Sequence, residues 1–331
     1  MKKIVILGAG CAGTMMSNKL RRDLDPGEWS ITVIDKDNTH YYQPGFLFVP
    51  FGINSPKEIK KSKREFLPRG VDFVISPITN VDWDKQVITT DKAGKFSYDI
   101  LIMATGCDIR PDEIEGMTEG WGKNIFSYYS YESCLELKKA LAKFDGGKIV
   151  VNIAEMPIKC PVAPLEFAFL ADWHFTERGI RDKVDIEFVT PLSGAFTKPV
   201  ATSVLTQTCI DKNIKINPNF SLGSVDSERK TISSFSGQEV EYDMLVSIPP
   251  NFGSQVMIDS GISDPMGYIG VDKTTLQPPN RPNVWVIGDG TNAPTSKAGA
   301  VAHFEADILH ENILAYINGG PQHARFDGHA L

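Results

Sequence analysis

The sequence predicts an α/β protein built from one parallel-sheet unit used twice, the second copy inserted in the first, each with a small antiparallel β-meander. Three observations predict it. A buried strand, a glycine-rich turn, a helix and a second strand occupy the first 35 residues. The order strand, helix, strand returns from Lys148. A last segment supplies one more buried strand and a helix, which complete the first copy. The expected division is residues 1–110 with 243–331 as one domain and 111–242 as the other.

Lys3-Ile4-Val5-Ile6-Leu7 is a short apolar run, the pattern of a strand covered on both faces. It leads into Gly8-Ala9-Gly10-Cys11-Ala12-Gly13, and then into Thr14 to Leu20, which reads as a helix. Ile31-Thr32-Val33-Ile34 is the second strand and ends in Asp35, about 22 residues after the last glycine, followed by Lys36. The glycines permit a tight turn, close approach of backbone to a pyrophosphate and close helix–strand packing. The helix N-terminus offers unpaired N–H groups to phosphates, and Asp35 can accept from a ribose hydroxyl. Together these make a Rossmann-like dinucleotide-binding unit.

An aromatic loop follows, from Asn38 to Phe48, which reads either as a loop packed on its own domain or as a wall beside a flat ligand. Lys57 to Arg64 reads as a solvated helix face. Short β-rich runs from Val71 to Asp99 predict the meander, which feeds the buried strand Tyr98 to Met103 and the turn Ala104-Thr105-Gly106. The second copy then starts. Lys148 to Ile153 echoes the first strand, a helix from about Cys160 to Arg178 follows, and Val184 to Val189 echoes the second strand. Val81 to Tyr98 and Val225 to Tyr242 both span 17 residues, so the meanders match as well.

The copies differ in chemistry. Ala154 to Pro161 replaces the glycine turn, and Thr190-Pro191 stands where a ribose-binding acid would be. The second copy therefore reads as unable to bind NAD(P)H in the usual way. In the last segment, Val284-Trp285-Val286-Ile287 ends in Gly288-Asp289-Gly290, and a helix begins near Thr295-Ser296-Lys297. A strand end before a helix suits a ligand at the carboxyl edge of a parallel sheet.

Composition limits the function classes. With 42% hydrophobic and 23% charged residues the chain is ordinary globular material, and a net charge of −7 argues against a nucleic-acid partner. No apolar run approaches a bilayer's thickness, and the first strand begins too early for a signal peptide. Five cysteines and six histidines form no CxxC and no metal-ligand spacing, so no metal is expected. A cytoplasmic setting with reduced thiols is the default.

The fingerprint, Ala104-Thr105-Gly106, Gly288-Asp289 and the degenerate second copy make the chain resemble the two-dinucleotide-domain flavoproteins. Within them it is most similar to the sulfide:quinone oxidoreductases and to flavocytochrome c sulfide dehydrogenase. The specific pieces are His40-Tyr41-Tyr42-Gln43-Pro44-Gly45, Ile158-Lys159-Cys160, Pro294 to Gly299, and Phe326-Asp327-Gly328-His329. The resemblance implies FAD, with Gly8, Gly10 and Gly13 at its pyrophosphate, Asp35 at its adenosine ribose and Asp289 at its ribityl chain. Cys11, Ala12, Lys36, Ala104, Thr105, Gly106, Gly288 and Lys297 complete the implied cofactor set. It further implies sulfide and a quinone as substrates, Cys160 as a redox cysteine, and a place on the membrane surface, at the inner face of the cell membrane. Self-association is left open.

The family pattern also has a second essential cysteine soon after Phe-Asp-Gly-His, and then a C-terminal membrane-gripping stretch. This chain stops at Leu331 before either, and the favoured expectation is a fragment. Cys160 reads as lying at a helix N-terminus, with Pro161 at the first helical position and Lys159 adding charge, which favours the thiolate that captures sulfur. Position alone balances that against a buried structural cysteine, and the resemblance favours function. Cys11 and Cys107 read as small residues tolerated beside a cofactor, and Cys209 as structural. Lys297 is the candidate to stabilise a reduced flavin, and Glu166, one to two turns after Cys160, to move protons. A type II NADH:quinone oxidoreductase is the second enzyme reading, opposed by the missing nucleotide turn. A disulfide reductase lacks its cysteine pair. A flavin-binding partner subunit that passes electrons to another protein is the third alternative.

Overall fold

In the computed structural model, which describes residues 1–329, the strand Lys2–Leu7 lies at the centre of a five-stranded parallel sheet. The order is Val284–Val286, Ile100–Met103, Lys2–Leu7, Trp29–Asp35, Asp72–Ile75. Ile4, Ile6 and Leu7 are fully buried, as a strand covered on both faces requires. Each such side chain contributes about 1.5–3 kcal/mol. The helix Cys11–Asp23 covers one face through Met16 and Leu20, both fully buried and four residues apart.

Register decides where the site lies. Leu7 pairs with Ile34 on one side and with Met103 on the other. Gly8 N–H donates to the Ile34 carbonyl, Ala104 N–H to Leu7 and Ile287 N–H to Met103, all at 2.8–2.9 Å. The turns after the first strand, after Met103 and after Ile287 therefore leave the sheet at one carboxyl edge.

The second sheet repeats this plan. Its parallel order is Ile125–Phe126, Met244–Ile248, Gly147–Ile153, Val184–Val189, Ile214–Asn217. Gly147–Ile153 takes the central place of Lys2–Leu7, and Met244–Ile248 that of Ile100–Met103. Each copy has its three-stranded antiparallel meander, Ile78–Asp82 to Lys95–Ser97 and Leu222–Asp226 to Glu239–Glu241. Both meanders carry a register shift in the first strand, between Ile78 and Asn80 and between Leu222 and Ser224. The repeat thus extends to a β-bulge.

The unit borders differ from those read in the sequence. One unit holds residues 1–40, 61–108 and those from Phe252 onward; the other holds 41–60 and 109–251. Residues 243–251 go with the second unit because Met244–Ile248 hydrogen-bonds to Gly147–Ile153. The aromatic loop from Tyr41 onward goes there too, because Phe46, Leu47, Phe51 and Ile59 are buried in its core, with the Phe51 and Phe167 ring centroids 5.0 Å apart.

Residues 57–64 form no α-helix: Lys60–Ser62 is a strand and Lys63–Phe66 a 3-10 turn, since Lys63 turns inward to Asp35. The run from Val71 begins with a strand of the parallel sheet, Asp72–Ile75, before the meander starts. The helix expected from Cys160 starts at Ala163, with Pro164 and not Pro161 in its first turn. That expected at Lys297 starts at Gly299.

Candidate active site

The first unit's cradle is built on close backbone approach. Gly8 has φ +95°, and a Cβ there would lie 2.4 Å from the Ala104 carbonyl oxygen. A Cβ on Gly13 would lie 1.9 Å from the Gly8 oxygen. Both are glycines because backbone occupies the space. Gly10 is different: a Cβ there would meet nothing within 4 Å. It is extended, caps the helix Cys11–Asp23 without a side-chain bond, and is followed by no acid in the first turn. Open space in front of uncapped helix N–H groups is what a pyrophosphate requires. The cradle fits a dinucleotide.

Asp35 is buried and its carboxylate is already engaged. Ala9 N–H donates to Oδ2 at 2.6 Å, and Lys63 Nζ lies 2.7 Å from Oδ1. The acid thus ties the second strand to the glycine turn, with lone pairs left to accept from a ribose. Lys36 is exposed and 3.9 Å from Asp108.

The other turns converge on this edge. The Cys11 thiol lies 3.7 Å from where a Gly299 Cβ would be, and burial, then the nearby Asp289 carboxylate, push its pKa up. A Gly288 Cβ would touch Ala12 at 3.5 Å. A Gly290 Cβ would lie 3.5 Å from the Gly106 oxygen and 3.7 Å from the Thr105 hydroxyl. Gly8–Gly13, Ala104–Gly106 and Gly288–Gly290 therefore form one cluster.

The Gly288–Thr291 turn is held from two sides. Glu305 is 1% exposed and accepts from Gly288 N–H at 2.7 Å. Burial raises its pKa to about 7. Lys297 Nζ donates to the Asp289 and Thr291 carbonyls, both at 2.9 Å, and sits 4.0 Å over the Tyr268 ring. Burial lowers the Lys297 pKa. Lys297 is thus a brace of the Asp289 turn, two residues ahead of the helix it was expected to begin. Cys107 is buried near Tyr268 and Lys297.

In the second unit, Cys160 stands exposed before the helix Ala163–Glu177, at φ +43°. A left-handed backbone at a residue with a Cβ costs about 1 kcal/mol or more. Its carbonyl accepts from the Tyr129 hydroxyl at 3.1 Å and from Ala163 N–H at 3.0 Å. Lys159 is buried, and its N–H donates to Asn251 Oδ1 at 3.0 Å. Glu166 lies in the first turn of that helix, and burial raises its pKa. Thr190 is fully buried, and its hydroxyl accepts from Leu192 N–H at 3.2 Å, so the side chain at the ribose position serves its own turn.

The sequence reading missed Lys63, Glu305, Tyr129 and Asn251. Lys63 sat in a polar stretch that read as solvated, Glu305 was not singled out although it shares a helix face with Val301 and Leu309, and the partners of Tyr129 and Asn251 are distant in sequence. Among the described residues no group of three or more His, Cys, Asp or Glu side chains is arranged to hold a metal.

Known proteins agree with this arrangement. Residues 2–304 match the pyridine nucleotide-disulphide oxidoreductase family model. The mitochondrial sulfide:quinone oxidoreductase of Dictyostelium discoideum is 30% identical over 99% of this chain and 74% of its own length. The mitochondrial enzyme of Mus musculus is 28% identical, over 99% and 74%. The solved sulfide:quinone oxidoreductase of Aquifex aeolicus superposes with a TM-score of 0.85 at 22% identity, covering 97% of this chain and 78% of its own, which shows the shared fold. The chain therefore belongs to the sulfide:quinone oxidoreductases, within the pyridine nucleotide-disulphide oxidoreductase family.

Proposed function

We propose that this protein is a FAD-dependent oxidoreductase that moves two electrons from sulfide to a quinone through Cys160. The observation that carries the reading is the exposed thiol on a braced, left-handed turn, in a unit whose nucleotide turn and ribose acid have been replaced. Relatives covering nearly the whole chain, named for the same reaction, support it.

The residues divide the work. Gly8, Gly10 and Gly13 and the N–H groups of the helix they start hold the pyrophosphate, with Cys11, Ala12 and Lys36 beside it. Asp35 accepts from the adenosine ribose, and Asp289 from the ribityl chain. Ala104, Thr105, Gly106 and Gly288 line the cradle. Lys297 keeps the Asp289 turn in shape and adds a positive charge on the cofactor's side of the unit. Bound FAD supplies the two-electron acceptor that relays to the quinone. The Cys160 thiolate and hydrosulfide would join through a new S–S bond to give a Cys160 persulfide, releasing one proton and two electrons, the electrons passing to bound FAD. The quinone would then take two electrons and two protons. Glu166, its carboxyl already shifted toward neutrality by burial, takes a proton near Cys160.

A quinone dissolves in lipid, so the reading places the protein at a membrane surface; no described helix is long and apolar enough to cross one. The test is anaerobic reduction of the FAD-loaded protein by sulfide or by NADH, followed by a soluble quinone analogue. Sulfide should bleach the flavin band and the quinone should restore it. NADH should act at least about 100-fold more slowly, because the second unit lacks the phosphate-binding turn and the ribose acid. Rapid bleaching by NADH, with none by sulfide, would overturn the proposal.

A further inference from the structure

Cys160 has φ +43°, and two of the bonds on its turn come from distant parts of the second unit. We propose that Tyr129 is a positioning residue for Cys160: its hydroxyl grips the Cys160 carbonyl, keeps the turn left-handed and so presents the thiol to incoming sulfur. The inference rests on the reading of Cys160 given above and deepens it.

Three bonds pin the turn. Asn251 Oδ1 holds Lys159 N–H at 3.0 Å, one residue before the cysteine. Asn251 is fully buried and its own amide donates to the Pro249 carbonyl at 2.9 Å, so it is fixed in place. After the Cys160 Cα, the carbonyl accepts from Ala163 N–H at 3.0 Å and from Tyr129 at 3.1 Å. The Ala163 bond is local and would travel with the helix. The Tyr129 bond comes from 31 residues away, on another element, and so ties the turn to the rest of the unit.

Tyr129 is itself well located for this. It follows the edge strand Ile125–Phe126 and is 6% exposed, with its ring centroid 5.1 Å from that of Tyr128. The next residue, Ser130, caps the helix Tyr131–Lys143 by accepting from Ser133 N–H at 3.2 Å. Strand and capped helix thus fix the ring, and the hydroxyl inherits that position. A buried tyrosine hydroxyl needs a partner in any case, and here the partner is the carbonyl of the left-handed cysteine itself.

The experiment compares Tyr129→Phe and Cys160→Ser with the wild type, all loaded with FAD. Tyr129→Phe keeps the ring and removes one O–H. Three readouts are taken: alkylation of Cys160 by iodoacetamide, followed by mass spectrometry; the limiting rate and half-saturating sulfide of flavin reduction; and the thermal midpoint with FAD content. Loosening the turn should slow Cys160 alkylation about fivefold or more and lower the limiting rate about tenfold, with half-saturation within about twofold, because orientation and not binding is lost. Wild-type alkylation and reduction in Tyr129→Phe would overturn the proposal. So would a lowered thermal midpoint with unchanged alkylation, the mark of a structural residue. Wild-type reduction in Cys160→Ser would defeat the functional reading instead, and the alkylation arm would still judge Tyr129.

Discussion

At the residue scale, the side chains that matter are those placed where their chemistry is costly. Glu305 is the clearest. Its carboxyl is buried beneath the Gly288 turn, and burial raises its pKa from 4.5 to about 7, with Asp289 adding to the rise and Lys297 opposing it. A raised acid pKa means that the folded state holds the proton longer than the unfolded chain does. Its contribution to stability therefore falls as pH rises from about 4.5 to about 7 and is flat above, by up to about 3 kcal/mol. Glu305→Gln keeps an acceptor for Gly288 N–H and removes the charge. It should erase that slope and stabilise the protein at pH 8 by about 1 kcal/mol or more, read from urea midpoints at pH 5 and pH 8. An unchanged slope would show that Glu305 does not titrate in this window. The inward position could have been read from helical spacing, since Glu305 lies four residues from both Val301 and Leu309, but nothing local to the sequence sets its pKa or names Gly288 as its partner. The glycines were legible, because their reason is backbone geometry and that leaves a pattern.

At the scale of elements, the glycine turn divides into two kinds of position. Gly13 is required by the fold, because backbone fills the place of its Cβ, whereas Gly10 faces open space. Gly13→Ala should cost stability by about 1–3 kcal/mol or more even without cofactor, from forced overpacking. Gly10→Val should cost the cofactor-free protein no more than a poor helix cap does, about 1 kcal/mol, and abolish FAD retention, measured by absorbance after gel filtration. Loss of folding in both, or FAD retention in Gly10→Val, would refute the assignment of that space to the pyrophosphate. Strands, meanders and the repeat were readable because periodicity and burial are local properties of sequence. Helix starts were not. The helix after Cys160 was expected to begin at the cysteine and begins at Ala163, because Cys160 takes a left-handed conformation. That conformation depends on Tyr129 and Asn251, which no local pattern reveals. Lys60–Ser62 read as helix for the same reason: the pull on Lys63 comes from Asp35, 28 residues earlier.

At the scale of the whole molecule, one supersecondary plan serves two chemistries. The first copy keeps its glycines and its acid and makes a dinucleotide cradle. The second keeps the sheet order and even the meander's bulge, and puts a cysteine turn where the nucleotide turn would be. In the proposed function, electrons pass from sulfur on Cys160 to FAD. The most direct measurement is a single-turnover, anaerobic stopped-flow mixing of FAD-loaded protein with sulfide, comparing wild type with Cys160→Ser. Flavin bleaching in the wild type, and a loss of at least about 100-fold in the variant with its flavin spectrum otherwise intact, is the expected result. Bleaching of Cys160→Ser at the wild-type rate would contradict the account.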